Sequence, residues 1–123
     1  MILLDTNALL WLETAHSRAR ALARLRTRLY VSPASLLELQ LLLELGRVRL
    51  RGVSSARELA DDDRWTLDEP PAREWFEEAM ALPWTRDPFD RLIVAHALAR
   101  RWKLATADAH VLEHMDKRST IAL

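Results

Sequence analysis

The chain has 123 residues, half of them hydrophobic, and as many acids as bases, so one domain with one core is expected and a bulk polyanion binder is not. It has no cysteine, which excludes disulfides, thiolate zinc sites and a cysteine nucleophile and suits a cytoplasmic setting. The apolar run at residues 1–4 is too short for a signal peptide and the leucine-rich stretch 36–45 too short for a bilayer, so no membrane association is expected.

Residues 1–4 read as a short buried strand and 8–13 as a short helix. Residues 17–26 read as an amphipathic helix, with Ala21, Leu22 and Leu25 on its inner side and arginines outside. A strand over 29–31 leads into a helix with Ser32 as N-cap and Pro33 as first residue, ending near residue 45, where Gly46 is a natural stop. Ser54 or Ser55 caps a helix through residue 59, Asp61-Asp62-Asp63 is expected to be an exposed loop, and 65–67 form a strand. Pro70 and Pro71 open a helix through about residue 80. Asp87 caps the next, which starts at Pro88, runs to about residue 102 and is apolar nearly all round, so it must be buried. Residues 103–106 form a strand, 109–115 a last helix and 120–123 an edge strand. This alternation predicts an α/β fold with a mainly parallel sheet, and no repeat or linker divides it, so 1–123 is expected to be one domain.

Asp5, Glu38, Asp90 and Asp108 each sit at a strand-to-helix junction. In an open parallel sheet such junctions gather along one edge, where ligands bind. At about 100° per residue, Gln40, Glu44 and Arg47 mark a solvated face, while Glu38 points with Ala34, Leu42 and Leu45 towards the core. A lone carboxylate there needs a partner or a cation. Asp87-Pro88-Phe89-Asp90 has the spacing of a capping box; Asp87 is read mainly as the cap and Asp90 as a ligand. Thr106 shares a face with Asp108 if the strand continues, and its hydroxyl can orient a carboxylate or a water. Two carboxylates about 4 Å apart repel by about 4 kcal/mol at an effective dielectric near 20, a serious cost to a domain stable by about 5–15 kcal/mol. A divalent cation reverses the sign, and all-oxygen donors favour Mg²⁺ or Mn²⁺ over zinc.

Four segments carry a family resemblance: Asp5-Thr6-Asn7-Ala8-Leu9-Leu10-Trp11, Val31-Ser32-Pro33-Ala34-Ser35-Leu36-Leu37-Glu38, Arg86-Asp87-Pro88-Phe89-Asp90-Arg91-Leu92-Ile93-Val94-Ala95 and Leu104-Ala105-Thr106-Ala107-Asp108. In this order they resemble the motifs of PIN domains, and in particular the VapC-type ribonuclease toxins of bacterial toxin–antitoxin pairs. The resemblance implies a PIN-like three-layer α/β/α fold and a Mg²⁺- or Mn²⁺-dependent endoribonuclease whose acidic quartet is Asp5, Glu38, Asp90 and Asp108. It places Asp5 and Asp90 in most direct contact with metal, lets Glu38 hold metal or its waters, and has Asp108 orient a water or a second ion. Thr6, Asn7 and Thr106, with Asp87 as cap, fit supporting positions. A homodimer, an RNA substrate and a cognate antitoxin whose tail covers the acidic groove are also implied. Leu37 before Glu38 and Ala109-His110 after Asp108 depart from the pattern but remove no carboxylate.

Between His16 and Arg57 arginine outnumbers acid nine to two, which leaves a local basic face possible within a neutral chain. Arg18, Arg20, Arg24 and Arg28 are candidates to guide an RNA backbone. Trp84, beside Asp87 and Asp90, is the tryptophan best placed to stack on a base. His110 and His114, four apart, are expected to be two exposed helix histidines rather than a zinc pair; His16 and His96 carry no functional signal. Two other readings stand beside the nuclease. One is a Mg²⁺-dependent phosphatase with an aspartyl nucleophile, although Asn7 occupies the place of its usual second aspartate. The other is a non-cleaving module whose acids bind metal or a partner's arginines.

Overall fold

Ile2, Leu3 and Leu4 are all apolar, so β1 (Ile2–Leu4) has no polar face to offer and can only lie inside a sheet. In the computed structural model, which describes residues 1–123, it does so. The other strands are β2 (Leu29–Val31), β3 (Asp61–Asp62), β4 (Trp65–Leu67), β5 (Lys103–Thr106) and β6 (Thr120–Ala122), in the spatial order β3-β4-β2-β1-β5-β6. Every neighbouring pair is parallel except β3 with β4. Leu4 lies beside Val31 on one side and Ala105 on the other, so β1, β2 and β5 end level and release the chain from one edge.

The helices are α1 (Thr6–Glu13), α2 (Arg20–Ala23), α3 (Pro33–Glu44), α4 (Ala72–Met80), α5 (Pro88–Arg100) and α6 (Ala109–His114). Because successive strand residues face opposite sides, the sheet divides the core in two. Leu3 and Leu104 pack with Trp75, Ile93, Val94 and Val111 on one face. Ile2, Leu4, Val31 and Ala105 pack with Ala8, Leu9, Leu22 and Leu39 on the other. The result is the expected three-layer α/β/α arrangement.

Several local expectations are corrected. The helix expected over 17–26 is a 3₁₀ turn, Ser17–Ala19, followed by the single turn of α2; His16 Nδ1 accepts from Arg18 N and sets the turn. Only Leu22 of the three expected inner residues is buried; Ala21 and Leu25 are exposed. Ser55 caps a 3₁₀ turn, Ala56–Leu59, rather than an α-helix. Asp61 and Asp62 form β3 instead of a loop, with Arg64 holding the Asp62 carboxylate at 2.8 Å. On α3 the solvated face is drawn differently. Gln40 is half-buried, because its Oε1 accepts from Ala56 N at 3.0 Å and docks the 3₁₀ turn. Leu45, past the last helical residue, is exposed rather than inward.

Candidate metal centre

Asp5 follows β1 and caps α1, its Oδ1 accepting from Ala8 N at 2.7 Å. Ser32 follows β2 and caps α3 through Ala34 N, which places Glu38 in the second turn, half-buried. Asp87 caps α5, its Oδ1 accepting from Phe89 N and Asp90 N. The capping box is one-sided. The Asp87 N–H is taken by Thr85 Oγ1, not by Asp90, and the Asp90 carboxylate turns into the cleft. Asp108 follows β5 and caps α6 through His110 N and Val111 N, while the Thr106 hydroxyl accepts from Asp108 N at 3.1 Å. Asp108 therefore both caps a helix and lines the cleft.

These junctions enclose a cleft of about 310 Å³ lined by Asp5, Thr6, Asn7, Glu38, Asp87, Asp90, Thr106 and Asp108, over an apolar floor that includes Ile93, Val94 and Leu104. The structure thus brings together all four acids of the quartet and all four supporting residues. No guanidinium or ammonium forms an ion pair with any of the five carboxylates; the salt bridges of the chain lie elsewhere.

The electrostatic consequence is direct. Asp90 is pushed up to about 7, first by burial and then by the charges of Asp87, Asp108, Glu38 and Asp5. Asp5 is raised to about 6 by burial, with Glu38 and Asp108 adding to the rise and the Thr106 hydroxyl and Ala8 N–H opposing it. Glu38 is also raised, by burial first and by Asp87 in addition. The Thr6 hydroxyl is close enough to the Glu38 carboxylate to oppose that rise, yet it is buried in the cleft with no partner in good hydrogen-bonding geometry. The positive ends of α1, α3 and α5 favour anions here, yet burial and mutual repulsion prevail. An all-oxygen donor set, short of cations and furnished with an orphaned hydroxyl, fits a hard divalent ion such as Mg²⁺ or Mn²⁺.

The basic candidates are not brought to the cleft. Arg28 precedes β2 and so lies at the opposite edge of the sheet, where its carbonyl accepts from Ile2 N. Arg18 lies over the Trp11 ring and donates to the Leu123 carbonyl, Arg20 lines a separate surface pocket beside Trp11 and Arg64, and Arg24 is exposed. Trp84 is half-buried with one face stacked on His114 at 4.7 Å, so that face is closed to a base. Sequence reading also missed His96. It is fully buried on α5 with Nε2 2.7 Å from Asp68 Oδ2, and Arg100 grips the same carboxylate at 2.9 Å. These contacts tie the chain after β4 to α5. The apolar helix gave no hint of them because the partner is 28 residues away.

No helix of the chain is long and apolar enough to cross a membrane. No curated protein matches the chain in sequence. Its fold is similar to that of several solved chains. A chain of a toxin–antitoxin complex from Klebsiella pneumoniae is 18% identical, with a TM-score of 0.73 over 99% of this chain and 97% of that one. A chain of VapBC2 from Rickettsia felis, solved bound to a DNA fragment from the promoter, is 18% identical, with a TM-score of 0.72 over 100% and 99%. A chain of FitAcB from Neisseria gonorrhoeae is 24% identical, with a TM-score of 0.52 over 89% of each chain. Residues 2–118 match the model of the PIN domain, and the chain belongs to that family.

Proposed function

We propose that this PIN domain is a divalent-metal-dependent endoribonuclease, the toxin of a toxin–antitoxin pair. The observation that carries the reading is the cluster of carboxylates in one cleft with no cationic side chain paired to any of them. A bound Mg²⁺ or Mn²⁺ supplies charge neutralisation at a phosphoryl group and a water made more acidic. Asp5, Glu38, Asp90 and Asp108 hold the ion. Thr6 and Thr106 orient carboxylates and water through their hydroxyls. Asn7, exposed at the cleft mouth, offers an amide to a phosphate oxygen. The apolar floor of Ile93, Val94 and Leu104 keeps bulk water from the base of the cleft, where the low dielectric strengthens each of these interactions.

Arg86 is exposed one residue before Asp87 and is better sited for an RNA phosphate than Arg18, Arg20, Arg24 or Arg28. Arg91 is less free, since its Nε donates to the Thr85 carbonyl at 2.8 Å. The similar fold found in a toxin–antitoxin complex supports a cognate antitoxin as partner, and the family resemblance supports both its cover over the cleft and a homodimer. The test is RNA cleavage by the purified chain with Mg²⁺ or Mn²⁺ and with EDTA. Cleavage that requires the ion and falls about a hundredfold or more in Asp5→Asn or Asp90→Asn, with the circular dichroism spectrum unchanged, is the expected result. Cleavage that survives EDTA and both substitutions overturns the reading. Metal binding without any cleavage favours the non-cleaving module.

A further inference from the structure

His110 and His114 are exposed, as expected, but they are not independent. They lie one turn apart on α6, their rings 4.5 Å from centroid to centroid, and Glu113 joins them. One donor atom from each of the three side chains falls within 4.8 Å of the other two. The hydrogen bonds of the rings then decide which nitrogens are free. His110 Nε2 lies 2.6 Å from the Trp84 carbonyl and His114 Nδ1 lies 2.8 Å from the His110 carbonyl. A carbonyl oxygen only accepts, so each of these nitrogens carries its proton. The lone pairs of the neutral rings are left on His110 Nδ1 and His114 Nε2. The Trp84 ring, parallel to His114 within 4°, further restrains that imidazole. Glu113 has no basic partner. An imidazole whose other nitrogen donates to a backbone carbonyl is the usual setting of a metal-bound histidine.

We propose that His110, Glu113 and His114 form a second metal site, for a borderline transition-metal ion such as Zn²⁺. The inference does not rest on the nuclease reading. Two imidazole nitrogens and one carboxylate select zinc, nickel or copper over Mg²⁺ and Mn²⁺, the opposite of the oxygen-only cleft. The three donor atoms already lie within 4.8 Å of one another on an exposed face, so small adjustments that keep both carbonyl bonds would bring them to metal–ligand distances of about 2.0–2.2 Å. By holding the two rings in place the ion would brace their contacts with the Trp84 carbonyl and ring, and so the packing of α6, which Asp108 caps, against the segment that precedes Asp87 and Asp90.

The full chain is titrated with Zn²⁺, and separately with Co²⁺ as a spectroscopic probe, in excess Mg²⁺ to occupy the oxygen cleft. The proposal expects one Zn²⁺ per chain beyond any held by the cleft, and a visible Co²⁺ spectrum of a low-coordinate nitrogen-bound ion. His114→Ala lowers Zn²⁺ affinity roughly tenfold or more and abolishes that spectrum. Glu113→Gln, which keeps both rings and their carbonyl bonds, weakens binding without touching the fold. Asp90→Asn leaves binding intact. Zn²⁺ affinity unchanged in both His114→Ala and Glu113→Gln, or binding lost only in Asp90→Asn, overturns the proposal.

Discussion

Asp90 and Asp5 are the residues at which the cleft works hardest against ionisation, held up to about 7 and about 6. Between the unfolded carboxylate pKa of about 4 and these folded values, the native state binds more protons than the unfolded one. Stability of the metal-free protein therefore falls as pH rises through that window and is fullest below it. A divalent ion binds the deprotonated form and removes the penalty. Melting temperature in EDTA is expected to decline from about pH 4 to pH 7 relative to the same scans with Mn²⁺; parallel curves would contradict the assignment. After burial, Asp87 is the largest cause of the Asp90 rise. Asp87→Asn keeps a good helix cap and is expected to lower the Asp90 pKa, read from its side-chain carbonyl NMR shift; no movement would place the cause elsewhere. The acids themselves were legible because each follows an apolar strand or opens a helix. The role of Asp87 as a charge in the cleft was not, since spacing alone identifies a cap and says nothing of which way its second oxygen faces.

At the scale of elements, strong punctuation was legible and weak periodicity was not. Ser32 with Pro33 and Asp87 with Pro88 mark helix starts that the structure reproduces. Gly46 ends α3 with φ of 69°, a conformation that a side chain strains. No atom lies within 4 Å of a Cβ built there, so Gly46→Ala is expected to cost only the backbone term, about 1 kcal/mol by urea denaturation. A cost near zero would mean the turn relaxes. The stretch after Thr14 was misread because its alternation of arginine and alanine imitates an amphipathic helix. There, a histidine cap and 3₁₀ hydrogen bonding shorten the helix to one turn, a competition between local bonds and periodicity that sequence spacing does not resolve. Leu39 is fully buried on α3, whereas Leu37, Leu41 and Leu45 are exposed. Leu39→Ala is accordingly expected to cost about 2–5 kcal/mol and Leu37→Ala well under 1 kcal/mol, and equal losses would show that α3 is packed otherwise.

For the whole molecule, the parallel sheet converts four separated segments into one site. β1, β2 and β5 end level, and the helices that follow them, with α5, all begin at that edge. The α/β class followed from the alternation of short apolar runs with helical patterns. The placement of β3 and the burial of His96 against Asp68 did not, because both depend on partners that only the folded chain supplies. Arg18, Arg20, Arg24 and Arg28 teach the same lesson: none lines the cleft, and a basic run on the sequence has no address until the fold gives it one. The most direct test of the central claim is Mn²⁺ binding, followed by electron paramagnetic resonance at neutral pH, in the wild-type chain and in Asp5→Asn and Asp90→Asn. The account predicts specific binding in the wild type that is weakened about tenfold or more by each substitution and is accompanied by proton release. Equal Mn²⁺ affinity in all three proteins would contradict it.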